Sequence, residues 1–169
     1  MEIKTVASFI EYYERVRGRT LRLLRIIPPE HIDWAYKEDK YSIADTIRHI
    51  AAMERYMFAE NVIGHRSSYN GSGKELADGY DELMAYFNEM HRQSMEIFRT
   101  LSNEDLTKKC ANPAGQIVTW KWLRAMIEHE IHHRGQIYVY LGMLGVKTPP
   151  IFGLTAEEVQ ELSTNKYVN

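Results

Sequence analysis

Two of the seven histidines, His129 and His133, stand four residues apart in a stretch running from Trp122 to Tyr140. If that stretch is helical, residues four apart lie one turn apart on the same face. Both imidazoles can then reach one metal ion at about 2.0–2.1 Å. The pair falls in the middle of a stripe shared with Trp122, Met126, Gln136, Ile137 and Tyr140, which reads as the buried face. A buried imidazole costs free energy unless its nitrogens are paired, and a shared ion pairs two rings at once. A lone histidine on such a stripe reads more simply as a core residue with a hydrogen-bond partner; two of them point to a metal. Gln136, Tyr140 and Trp122 fit either core packing or a layer behind the ligands, while His132 falls at the margin of the stripe.

Two ligands on one helix leave a site incomplete, so a third must come from another segment. His49 lies on the flank of the apolar positions Ile43, Ile47, Ile50, Met57 and Phe58, whereas His91 lies near the centre of its own apolar face. Spacing alone therefore prefers His91, with Asp45 and Glu60, close to the direction of His49, as further candidates. The run His129-Glu130-Ile131-His132-His133 also matches the H-E-x-x-H helix of zinc peptidases, whose Glu is a general base. Glu130 falls about 100° around the helix from His129, on what reads as the solvent side, which weakens that template. It stays a rival because Glu157 or Glu158 would serve as a distant third ligand. The di-iron bundle pattern needs two Glu-x-x-His motifs, and only Glu130/His133 fits, so it fails.

Four long helical segments must position these residues. The first, from about Thr5 to Ile27, ends at Pro28-Pro29, which cannot continue a helix. A turn-rich connector leads to Ser42-Ile43-Ala44-Asp45, close to a capping box, and a second helix is predicted from Ser42 to about Ile63, stopping at Gly64. Ser67 to Gly73 reads as loop. Apolar residues at three- and four-residue spacing predict a third helix over about Asp78 to Leu101. After a stretch without periodicity, in which Gln116-Ile117-Val118 is briefly extended, Thr119 reads as the N-cap of a fourth helix running to Leu144 and ending at Gly145. A short last helix is predicted at the Thr155-Ala156-Glu157-Glu158 capping box. The expectation is an all-α four-helix bundle in a single domain over residues 1–169, with connectors long enough to suggest function.

Composition narrows the function classes. The formal net charge is −2, from 21 Lys+Arg against 23 Asp+Glu, which is too near balance for a protein built to grip phosphate backbones. Arg15, Arg17, Arg19, Arg22 and Arg25 make the first helix basic, but the simpler reading is a solvated face paired with acids. No nucleic-acid and no membrane partner is expected. The one cysteine, Cys110, closes no intrachain bridge, and the chain begins without a secretory pattern, which fits the cytoplasm. His31 and His65 read as surface residues.

These motifs resemble the DinB/YfiT-like family of bacterial four-helix bundles. The resemblance rests on Tyr41-Ser42-Ile43 leading to His49-Ile50-Ala51-Ala52-Met53-Glu54, and on Glu128-His129-Glu130-Ile131-His132-His133-Arg134-Gly135-Gln136-Ile137 followed by Leu144-Gly145. The Trp34 connector and Ile117-Val118-Thr119 extend it over roughly residues 28–145. It implies a divalent metal, zinc or nickel, held by His49, His129 and His133, in place of the His91 that spacing prefers. It also implies a bundle that is not a simple meander, a homodimer, and either thiol-transferase-like chemistry with a low-molecular-weight thiol, metal-dependent hydrolysis, or a structural or sensory metal without catalysis. The family name refers to DNA damage, a stress response, and says nothing about binding DNA.

Overall fold

The computed structural model describes residues 2–165. Helix α1 spans Val6–Leu24, and the Thr5 hydroxyl caps it by accepting from the Ser8 amide at 3.1 Å. After a single 3-10 turn, Pro29–His31, helix α2 spans Ile43–Met53. Its capping box is complete: Ser42 Oγ accepts from the Asp45 amide at 3.0 Å and Asp45 Oδ2 from the Ser42 amide at 2.9 Å. Helix α3 covers Tyr80–Arg99, α4 Thr119–Met143 and the short α5 Ala156–Asn165. The Thr155 hydroxyl and the Glu158 carboxylate cap α5 reciprocally. Helix α4 closes in a Schellman motif, in which Gly145 at φ 72° lets its own amide and that of Val146 bond back to Gly142 and Leu141.

Three details depart from the sequence reading. The second helix is not one regular rod to Ile63: a π-helical stretch, Glu54–Ala59, follows α2 and leads into a last α-turn, Glu60–Val62. The wider turn carries an extra residue, which lets Glu54 point into the core while Phe58 still faces the ring of His129. Between α3 and α4 the chain forms an antiparallel hairpin, β1 Lys109–Asn112 with β2 Gly115–Val118, so the extended run at Gln116–Val118 has a partner strand. Thr119 is the first helical residue rather than the N-cap, and its hydroxyl instead donates to the Lys108 carbonyl at 3.0 Å.

Helices α1 and α2 each pack against α3 and α4, so they stand diagonally and the order around the bundle is α1-α3-α2-α4. A chain-order meander would have made α1 and α2 neighbours. Because α2 and α4 are adjacent, the flank of α2 that bears His49 meets α4. The apolar interior forms two clusters. One gathers Phe9, Val16, Phe58, Phe98, Leu123 and Met126; the other gathers Leu24, Ile47, Ile50, Phe87, Ile137 and Leu141. No described helix is long and apolar enough to cross a membrane.

Candidate metal centre

The side chains of His49 on α2 and of His129 and His133 on α4 come together at half-buried positions, each offering a nitrogen within 4.8 Å of the other two. His129 Nε2 and His49 Nε2 are 3.0 Å apart. Nitrogens bound to one ion at 2.0–2.1 Å in tetrahedral geometry would be about 3.3 Å apart, close to the separation of this pair. The ring centroids are 5.0 Å apart for His49 and His129, 4.9 Å for His49 and His133, and 4.5 Å for His129 and His133.

Groups behind the rings set which nitrogen faces the centre. His133 Nδ1–H donates to Gln136 Oε1 at 3.0 Å, and Gln136 Nε2 in turn donates to the Tyr140 hydroxyl at 2.7 Å. His49 Nδ1 lies 2.9 Å from the Tyr69 hydroxyl. In both rings this leaves Nε2 for the centre. Phe58 and Tyr41 add ring contacts to His129 and His49 at 6.0 and 5.6 Å. Burial, then the neighbouring His133, pushes His49 down to about 4; burial, then His133, His49 and His132, pushes His129 down to about 3. Burial lowers His133 as well, against the opposing pull of Gln136. All three rings are neutral at pH 7 and offer lone pairs, as metal ligation requires.

The other sequence candidates lie elsewhere. His91, which spacing preferred, points into the bundle and donates through Nδ1 to Glu54 Oε1 at 2.8 Å. Glu130 is not on the solvent side but 1% exposed, accepting from the Thr20 hydroxyl at 2.6 Å and facing Arg17 Nη2 at 3.0 Å. Facing α1 rather than the histidines, it cannot play the base of the H-E-x-x-H template. Arg17 likewise departs from the solvated reading of the first helix: it is buried and bonds Glu54, Glu130 and the Tyr13 hydroxyl. Asp45 caps α2 and pairs with Arg48, Glu60 pairs with Arg55 and His65, and Glu158 caps α5. Trp122 packs at a tilt against Phe58, with ring centroids 4.5 Å apart, and Tyr140 is buried against Trp34.

Sequence reasoning missed Tyr69, which arrives from the loop that joins α2 to α3. Its neighbourhood carries a signal only in hindsight of the fold: Arg48, beside His49, is fully buried and anchors that loop by donating to the carbonyls of Ser72 and Ala77, both at 2.8 Å.

Comparison with known proteins agrees with this architecture. The sequence profile of the DinB superfamily matches residues 12–137. The uncharacterised protein YjoA of Bacillus subtilis strain 168 is 26% identical over 150 residues, covering 86% of this chain and 94% of YjoA. The YjoA crystal structure superposes with a TM-score of 0.71 at 21% identity, over 85% of this chain and 97% of that one. YfiT from Bacillus subtilis, described as a probable metal-dependent hydrolase with an unusual four-helix bundle topology, gives 0.65 at 15% identity over 84% and 89%. A variant of the mycothiol-dependent maleylpyruvate isomerase gives 0.58 at 11% identity, over 80% of this chain but 63% of the isomerase. The profile match spans most of the chain, and the helix order and histidine motifs are those of the resemblance noted above; the chain belongs to the DinB superfamily.

Proposed function

We propose that the protein is a divalent-metal-dependent enzyme of thiol-transferase type, with His49, His129 and His133 holding zinc or nickel and a low-molecular-weight thiol as co-substrate. The observation that carries this reading is the donor set. All three donors are neutral imidazoles, and among the described residues the group includes no carboxylate. The protein therefore cancels none of the ion's charge, and three ligands leave coordination positions open, as in catalytic sites. An ion bound there would lower the pKa of a coordinated thiol or water. Activating a thiol this way needs no protein base, since the proton leaves to solvent, and Glu130, the acid of the His-Glu-x-x-His run, is engaged in the core. The isomerase neighbour, described as mycothiol-dependent, is in keeping with this chemistry.

The chain's own residues bind and orient. The three histidines converge, Tyr69 and Gln136 back two of them, and Phe58 and Tyr41 shield the rings. Metal-dependent hydrolysis is the second reading, favoured by the description of YfiT. A homodimer stays part of the proposal on the strength of the family resemblance, and light scattering on the purified protein tests it.

Cobalt substitution separates these readings. Cobalt-loaded protein titrated with 2-mercaptoethanol should develop a thiolate-to-cobalt charge-transfer band, absent in His133→Ala. A saturated cobalt site blind to thiol but active on activated esters would favour hydrolysis, and protein unable to take up zinc, nickel or cobalt would sink both.

A further inference from the structure

The ligand histidines are supported from two different places. His133 is backed from its own helix by Gln136, one turn further on, and Gln136 is fixed by the hydroxyl of buried Tyr140. His49 is backed by Tyr69, twenty residues away in the connector between α2 and α3. That connector is fastened on both sides of the ligand, to the π-helical stretch after it and to α2 before it. The Ser67 hydroxyl and the Ser68 amide donate to the Tyr56 carbonyl at 3.2 and 2.8 Å, and buried Arg48 holds Ser72 and Ala77. In the structure the Gln136 NH2 faces the tyrosine and its oxygen faces the imidazole, an arrangement in which His133 carries its proton on Nδ1.

We propose that Gln136 and Tyr69 are positioning residues that hold the Nδ1 edges of His133 and His49 outward, so that both rings present Nε2 to one shared ion, Gln136 through its amide oxygen also selecting the Nδ1–H tautomer of His133. The inference rests on the metal reading above, yet the tautomers exist without any ion and are measurable without one. A ring nitrogen that donates to a fixed oxygen cannot also rotate to present that nitrogen to a metal, so the outer partner sets the ligand atom and the ring plane together. The connector is then part of the site: without its docking by Arg48, Tyr69 would not reach His49.

The test is long-range proton–nitrogen NMR on metal-free protein with 15N-histidine, run beside zinc affinity by chelator competition. The wild type should show His133 as the Nδ1–H tautomer and His49 as a single dominant tautomer. Gln136→Leu should mix the tautomers of His133 alone and Tyr69→Phe those of His49 alone. Each should weaken zinc about 10–100-fold, the usual effect of losing an outer partner. Gln136→Glu, which keeps an acceptor oxygen at the same place, should restore the His133 tautomer and hold zinc at least as tightly as the wild type. Thermal melting of the metal-free variants controls for folding. Tautomers that do not respond to their own variant, or an Nε2–H His133 in the wild type, would overturn the proposal. Tautomers that respond as described in a protein that binds no metal would uphold the positioning roles and reject the metal function.

Discussion

Two polar clusters lie back to back across helix α4, and adjacent residues of one motif belong to different ones. His129 joins the half-buried triad with His49 and His133, whereas Glu130 joins a set with fully buried Arg17 and Glu54 and with His91 at its edge. The buried set takes one group from each of the four helical segments and lies at the centre of the bundle. It is dense in charge and paired internally: the guanidinium faces both carboxylates, stacks over Phe87 at 4.1 Å, and donates to the Tyr13 hydroxyl. Burial by itself would raise the Glu54 carboxyl, but Arg17 and then His91 hold it below the usual carboxylate range. The triad is the reverse case, with three lone-pair nitrogens converging and no counter-charge. A cluster that supplies its own cation has a structural task, whereas three neutral imidazoles converging without a counter-charge make a donor set that suits a cation.

Replacing the cation of the first cluster should have the largest effect. Arg17→Met leaves Glu54 and Glu130 facing each other in the core and should cost about 3–5 kcal/mol of unfolding free energy, read by urea denaturation. A loss below 1 kcal/mol would mean that the cluster is not the structural partner of the pair. His133→Ala should do the opposite, lowering zinc affinity by more than about 100-fold, beyond the loss expected for an outer partner, with little change in the stability of the metal-free protein. His49→Ala should behave the same way, whereas His91→Ala should leave zinc stoichiometry unchanged and lower stability. If His91→Ala empties the site and His49→Ala does not, the assignment of the two clusters is wrong. Thr20→Val probes the charged cluster more gently. It keeps the side-chain shape but removes the hydroxyl that donates to Glu130 Oε1, and should cost about 1.5–3 kcal/mol without touching metal affinity.

How much of this was legible follows from the same contrast. The i, i+4 pair His129/His133 and the caps at Ser42 and Thr155 are local patterns, and they were readable because their partners lie within one turn. His49 was not selected by spacing, because its face is defined by which helix stands beside α2, a matter of topology; only the family resemblance named it. Arg17 and Glu130 were misread outright. Periodicity sends a charged residue to the solvent by default, and a buried ion pair between residues 113 positions apart leaves no mark on either segment alone. The π-helical turn escaped for a related reason: it begins at Glu54, which pairs with Arg17 on another helix, and a tertiary contact of that kind is invisible in the spacing of Met57 and Phe58.

The gentlest way to separate the clusters is pH, because they respond in different windows. In the metal-free fold His49 and His129 are held down at about 4 and about 3, while the unfolded chain titrates them near the usual value of about 6.5. As pH falls below about 6.5 the unfolded state therefore takes up protons that the folded state refuses, so stability should begin to decline there and keep declining to about pH 4. Glu54 has the other sign of group but the same direction of loss. Its folded value is depressed, so its contribution is complete above the unfolded value of about 4.3 and vanishes only as pH drops through the folded one. Urea denaturation of metal-free protein between pH 8 and 4 should show the upper slope, and replacing both His49 and His129 by Gln should flatten it from pH 6.5 to 5 while leaving the acid limb below 4.5. Saturating zinc should steepen the upper slope, because the ion binds only neutral imidazoles and is released as they protonate. A stability flat from pH 7 to 5 in the metal-free wild type would mean that the triad is solvated well enough to titrate normally, and the contrast between a closed ionic cluster and a poised neutral one would fail at its neutral end.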